Sequence, residues 1–317
     1  MPTYSVRHHT RYRYSTSISE SVMEARMQPR KDEGQICHSF HLSISPQARV
    51  QTYADHFGNS VHWFTVPNRH GYLVLRADSL VEVSAWDVGS LSTAAASWQE
   101  LDSFSRSSDL WDWMAPSHFA RTTESLTDFA QAENIRREAD PLSTLLMINQ
   151  RIYDAFDYVP NSTAVDSPID VALAHRRGVC QDYTHIFIAL ARGLGIPCRY
   201  ASGYLYHQAE ANDRSDEDAS HAWAEALIPG LGWIGFDPTN HLIACGRHIR
   251  VAIGRDYADV PPAKGVFRGD ADSELDVGVQ VSLAERPEPE EELIPTTGWV
   301  PPEDVDAEQQ QQMQQQQ

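Results

Sequence analysis

The chain lacks any run of the roughly 18 uncharged apolar residues that a membrane span requires. Its first residues, MPTYSVRHHTRYRYS, carry basic charge with no apolar segment behind it. No secretory leader is therefore expected, and no membrane association; the cytosol is the expected compartment. Cysteine is scarce, with 4 in 317 residues, at positions 37, 180, 198 and 245 and never as a CxxC pair. Such spacing signals neither a zinc ribbon nor a disulfide framework, which leaves reduced thiols. Clusters of Lys and Arg are missing too, and without them a nucleic-acid partner is not expected, because phosphate contacts need concentrated positive charge. The formal charge of −19 is uneven: residues 270–317 hold 13 acids against Arg286 alone, and the rest of the chain carries an ordinary −7.

What remains is long enough for two domains with separate cores. Residues 3 to 88 alternate apolar and polar side chains in YSVRHHTRYRY, FHLSISP, VHWFTVP and YLVLRADSLVEVSAW, with Gly and Pro between them. That pattern predicts an N-terminal β-sandwich-like domain over 1–88. A connecting helical and irregular segment follows over 89–139, with a helical pattern near 118 to 133. From 140 the signals sharpen. Asp140-Pro141 caps a helix whose buried face carries Leu142, Leu145, Leu146, Asn149, Ile152 and Phe156. Ser167-Pro168-Ile169-Asp170 starts a second, shorter helix with the acid placed for a capping box. A third begins at Cys180 and ends between Gly193 and Pro197. Strands follow, including a hairpin around Pro229-Gly230-Leu231-Gly232. The fold class is α+β, with a core over 140–269. The acidic, Pro- and Gln-rich residues 270–317 are expected to be disordered, having too little apolar surface to fold.

Cys180 sits directly after the Gly178 turn, at the start of a helix. A thiol attacks carbonyls as its thiolate, and helix N-termini favour the ionised form. The plainer alternative is a small buried residue that happens to open a helix. A cysteine nucleophile needs an imidazole and a group that orients it. Of 14 histidines, His185 lies about 140° around the same helix, and His175 precedes the turn. His221 lies in a strand whose hairpin return delivers Asp237. Simple turns leave the two about three positions out of register, so contact requires a bulge or a diagonal pairing.

At these residues the sequence resembles the bacterial transglutaminase-like superfamily, also described as transglutaminase-like cysteine proteases. GVCQDYTHIFIALARGLGIPCRYASGYLY is similar to the family's nucleophile helix and following strand, ASHAWAEALIPGLGWIGFDPTN to its His- and Asp-bearing strands, and GRDYADVPPAKGVFRG to its closing segment. MQPRKDEGQ, DHFGN and VEVSAW resemble its N-terminal β region. The resemblance implies a papain-like core with Cys180 as nucleophile, His221 as base and Asp237 as its orienting partner. It implies a thiol-dependent acyl-transfer enzyme acting on peptide or glutamine-type amides of a protein or peptide substrate, through a thioester and without a cofactor. Hydrolysis is slightly favoured over transamidation, since the sequence identifies no amine site. Gln181 stands where better-known transglutaminases carry a tryptophan, which sets crosslinking apart from the shared triad.

Tyr204 and Trp223 are expected to contact substrate, with plain core packing as the alternative for Trp223. A metal is not expected: Cys37, His38 and His41 are close in sequence, but no zinc-ligand spacing or HExxH helix occurs. A non-catalytic peptide-binding module is the remaining class, and the presence together of Cys180, His221 and Asp237 argues against it.

Overall fold

The computed structural model describes residues 1–32, 34–84, 97–104, 108–208, 211 and 213–285. Six strands open the chain: β1 (Thr3–Ile18), β2 (Glu20–Ala25), β3 (Gln35–Ser45), β4 (Val50–Ala54), β5 (Ser60–Val66) and β6 (His70–Val83). In β1 Tyr4, Val6, His8 and Thr10 are buried and Ser5, Arg7 and His9 between them exposed, the alternation of a sheet with one covered face. Helices α1 (Trp98–Phe104), α2 (Trp111–Met114) and α3 (Glu124–Ala132) lead to the core. Parts of the expected connector, 89–96 and 105–107, lie outside the described residues.

In the core, α4 (Pro141–Ala155) begins as its sequence predicts, with Asp140 accepting from the Ser143 N–H at 2.8 Å. Its expected face is buried except for Leu146, which is exposed. After β7 (Asp157–Tyr158), α5 (Ile169–His175) starts without the expected capping box. Ser167 accepts instead from the Ala164 N–H, closing the preceding loop. β8 (Arg177–Gly178) and α6 (Cys180–Gly193) follow, then β9 (Cys198–Leu205), β10 (His221–Ile228), β11 (Gly232–Asp237), β12 (Leu242–Ala244) and β13 (His248–Gly254). These last five form one sheet in the order β12-β11-β10-β9-β13. Ala222, Ala224 and Ala226 of β10 join the same buried cluster as Ile186, Phe187 and Leu190 of α6, and these small residues let the helix lie close to the strand.

The expected C-terminal boundary is corrected by β14 (Ala263–Arg268) and β15 (Ser273–Ala284). Both return to the N-terminal strands, giving two four-stranded sheets, β15-β1-β6-β3 and β14-β2-β5-β4. Tyr14, Met23, Phe64, Leu73 and Leu75 fill the space between them as a sandwich core. Residues 273–284 are thus ordered strand, because their acids Glu274 and Asp276 pair with Arg11 and Arg13 of β1, and Val279 is covered. The rest of the expected tail, 286–317, lies outside the described residues. Among the described residues no helix is long and apolar enough to cross a membrane.

The sandwich is joined to the core by buried polar contacts. Arg250 of β13 donates to Asp32 at 2.9 Å and to Glu225 of β10 at 2.6 Å, while Arg199 of β9 reaches Glu225 at 2.7 Å. Asn59 bridges the Arg30 guanidinium and both backbone groups of Ile253. These contacts fix the sheet on which the site is built.

Candidate active site

Each residue of the turn before α6 has a distinct task. Gly178 lies so close to Asp182 that an added Cβ would sit 2.8 Å from Oδ2. The Asp182 carboxylate accepts the Val179 N–H at 2.9 Å and the Thr163 hydroxyl at 2.7 Å. Burial pushes its pKa up while these donors push it down, the first effect winning. Gln181 donates to the Val165 carbonyl at 2.9 Å and so ties down the loop before α5. Cys180 is left as the first residue of the helix, partly exposed, with the uncapped N–H groups of the first turn around it. All four cysteines are unpaired.

His221 opens β10, and Asp237 closes β11. Ala224 pairs with Phe236, which sets Asp237 two positions out of register from His221 rather than three. Two positions preserve the face of a strand, so the diagonal contact forms: His221 Nε2 lies 2.7 Å from Asp237 Oδ2. A carboxylate only accepts, so Nε2 carries a proton, and Nδ1 is the ring nitrogen not engaged by Asp237. Nδ1 is buried without a conventional hydrogen-bond partner among the described residues. Burial lowers the imidazole pKa, but the charge and hydrogen bond of Asp237, with Cys180 adding to them, raise it well above its ordinary value. Burial likewise opposes ionisation of Asp237, yet His221 and His248 hold its carboxyl far below the usual range.

Cys180 and His221 line one cleft of about 250 Å³, together with Tyr158, Tyr200, Ser202, Asp216 and Tyr257. Burial pushes the Tyr158 phenol up to about 12 and raises Tyr200 and Tyr257 as well, with Cys180 contributing to each. These three phenols therefore present neutral O–H groups at neutral pH.

Neither expected substrate residue lines it. Tyr204 is buried, and its hydroxyl meets His8 Nδ1 of β1 at 2.9 Å. Trp223 is 1% exposed, with its indole N–H directed to Glu225 at 3.3 Å. Both positions have the right parity, as Tyr200 and Ser202 share the face of Tyr204 and His221 shares that of Trp223. They lie too far along their strands, beneath the sandwich. His185 is also accounted for: it stacks on Phe119 and its Nε2 accepts the Tyr257 N–H at 3.2 Å.

His221, Asp237 and His248 are a group of three whose donor atoms lie within 4.8 Å of one another. Zinc ligands about 2.1 Å from the metal stand roughly 3.4 Å apart in a tetrahedron. The 2.7 Å and 3.1 Å contacts of Asp237 with the two imidazoles are hydrogen bonds, too short for that geometry. Cys37 and His38 are not gathered into a site either, since the thiol donates to the Ser39 carbonyl and His38 pairs with Glu82.

Residues 130–238 match the model described as transglutaminase-like superfamily, and residues 4–82 the bacterial transglutaminase-like N-terminal region. An uncharacterized protein of Mycobacterium leprae is 31% identical over 276 residues, 87% of this chain and 96% of its own length. The chain belongs to the transglutaminase-like superfamily. Its transglutaminase-like core extends that similarity to a protein-glutamine gamma-glutamyltransferase of Pseudomonas aeruginosa, 29% identical over 161 residues, which are 44% of this chain and 23% of that protein. The whole transglutaminase-like fold is shared with a crystal structure from Cytophaga hutchinsonii, provisionally described as a cysteine protease, at a TM-score of 0.68 and 21% identity over 91% of this chain and 92% of that one.

Proposed function

We propose that this chain is a thiol-dependent acyl-transfer enzyme acting on amide bonds of a protein or peptide, with Cys180 as nucleophile, His221 as base and acid, and Asp237 as the group that orients His221. The observation that carries this reading is the 2.7 Å contact from His221 Nε2 to Asp237, which leaves Nδ1 as the basic nitrogen of a ring lining the cleft with Cys180.

Nδ1 takes the thiol proton, and the resulting thiolate attacks the amide carbon. The carbonyl oxygen gains negative charge, for which the first N–H groups of α6 supply partial positive charge. Collapse breaks the C–N bond as His221 gives its proton to the departing amine or ammonia, leaving a thioester on Cys180. Water, deprotonated by His221, then releases the acid. Hydrolysis is slightly favoured, because the sequence identifies no amine site. Transamidation of glutamine is the second reading, supported by similarity to the Pseudomonas aeruginosa enzyme over the core. The cytosol is the compartment we propose for this activity.

The test incubates wild type and Cys180→Ala with a glutamine-containing peptide library, with and without a primary amine, and reads mass changes. Cleavage or deamidation that needs Cys180 supports hydrolysis, and amine addition that needs Cys180 supports transamidation. Products identical in the two proteins would overturn the enzyme reading.

A further inference from the structure

Asp237 is 0% exposed and accepts five hydrogen bonds. Oδ1 takes the backbone N–H groups of Thr239 and Asn240, at 3.0 Å and 3.2 Å. Oδ2 takes His221 Nε2 at 2.7 Å, the Asn240 side-chain amide at 2.9 Å and His248 Nε2 at 3.1 Å. Four of these are what a buried carboxylate needs near a turn. The fifth is a second imidazole, brought from β13 across the sheet. A glycine lets the two strands lie close beside it: a Cβ at Gly203 would strike the carbonyl of Ile249, the residue after His248, and the Trp223 ring.

We propose that His248 is a positioning residue of the reaction: its neutral Nε2–H holds Asp237 Oδ2 beside His221 and takes up part of the carboxylate's charge. The proposal rests on the reading of Cys180, His221 and Asp237 as a triad. Because Oδ2 only accepts, the proton of His248 is on Nε2, and burial holds this ring below the ordinary imidazole pKa, as a neutral donor. The charged and titratable groups that face it are Asp237 from β11, His221 from β10, and Arg247, Cys245 and Arg250 from its own stretch of chain. Trp223 packs edge-on against it, 5.1 Å between ring centroids, which fixes the ring plane.

The two imidazoles thus divide one carboxylate. His221 must gain a proton when the thiol ionises and lose it to the leaving amine. An undivided carboxylate would hold that imidazolium too firmly for the second step. Removing the His248 donor therefore has two effects that a loss of packing would not produce together. The thiolate forms at lower pH, because His221 becomes more basic, and turnover falls, because proton release becomes harder.

The test compares three substitutions by the pH profile of Cys180 alkylation with iodoacetamide, using Cys180→Ala to subtract the other thiols. His248→Gln places an amide N–H near the Nε2 position, His248→Asn stops short of it, and His248→Leu removes the donor while keeping the volume. The alkylation midpoint is expected to move down by about one pH unit in the Asn and Leu variants and to stay near wild type in Gln. Turnover of a peptide from the library is expected to fall roughly 10- to 100-fold in Asn and Leu, the loss of one hydrogen bond to a charged group, and to recover in Gln. Should His248→Leu not fold, the Gln and Asn pair decides alone. Coincident Gln and Asn profiles would overturn the proposal while a selectively alkylated wild-type Cys180 still upheld the triad. A wild type alkylated no faster at Cys180 than at Cys245 would overturn both.

Discussion

Two carboxylates, Glu225 and Asp237, lie buried on one face of the same sheet, on either side of Trp223, and they are held by different kinds of partner. Glu225 is gripped by the guanidinium groups of Arg199 and Arg250, while Asp237 is gripped by the imidazoles of His221 and His248. Both pay for desolvation. Burial alone would raise each pKa, and in each the partners win: Glu225 is held down to about 2, and Asp237 lies lower still. The difference is in what can leave. Guanidinium does not give up its proton in a protein, so the Glu225 cluster is fixed charge that locks strands together. An imidazole, unlike a guanidinium, can give up its proton, so the charge of the Asp237 cluster is not fixed in the same way. Similar burial on one face of the sheet yields a clamp of fixed charges in one place and a cluster with exchangeable protons in the other.

Exchanging the consequences of the two clusters would break this contrast. The largest effect is expected from Asp237→Asn, which keeps the shape but no longer fixes the His221 tautomer. Activity should fall about 10⁴-fold, measured as turnover of a Cys180-dependent peptide by the protein that remains folded. The complementary substitution, Glu225→Ala, leaves Arg199 and Arg250 buried without their shared partner. It should cost about 3–5 kcal/mol in denaturant unfolding; if instead it abolished turnover in the folded protein and left stability intact, the clamp would be misassigned.

Acid sharpens the contrast further. A carboxylate with a depressed pKa stabilises the fold fully above its unfolded value and loses that contribution as pH falls toward the folded value. For Glu225, depressed from 4.5 to about 2, the window lies between those values, and taking the protein from pH 6 to 3 should remove about 2 kcal/mol through this group. Thermal melts of wild type and Glu225→Gln across that range should converge as pH falls; parallel curves would count against the fixed-charge role. The smallest effect is expected from Arg250→Lys. A single ammonium cannot span Asp32 and Glu225 as the guanidinium does at 2.9 Å and 2.6 Å, so about 1 kcal/mol of stability should be lost with turnover unchanged.

The cluster of Cys180, His221 and Asp237 is more legible in the sequence than the clamp. Cys180 follows a glycine turn and opens a periodic helix, and His221 and Asp237 fall on arms of one hairpin, so local pattern reaches them. The exact offset was not readable, because it depends on the conformation of the Ile228–Gly232 turn, where Gly230 and Gly232 adopt positive φ. His248 was missed for a different reason: it comes from a strand separated from β11 by β10 and β9, and no local spacing announces that contact. That Tyr204 and Trp223 lie buried away from the cleft could not be read from their strands, since alternation gives the side of a strand and says nothing about what covers it. The clamp, made by Asp32, Arg199, Glu225 and Arg250, draws on residues more than 200 positions apart. The return of residues 263–284 to the sandwich was hidden by composition, because β15 is acidic and largely exposed, and its partners are arginines near the other end of the described chain.

That return makes the transglutaminase-like core, in topological terms, an insertion between two parts of a sandwich. The segment that carries Cys180, His221 and Asp237 leaves from β6 and comes back to β14, and its ends are anchored in facing sheets of one sandwich. An enclosed segment of this kind has less freedom to gain by opening, since its ends remain near one another even when its interior loosens. During synthesis the order is reversed: β1 must wait for residues 273–284 before its outer edge is paired. Every residue of the site is therefore synthesised before the strand that closes the frame around it.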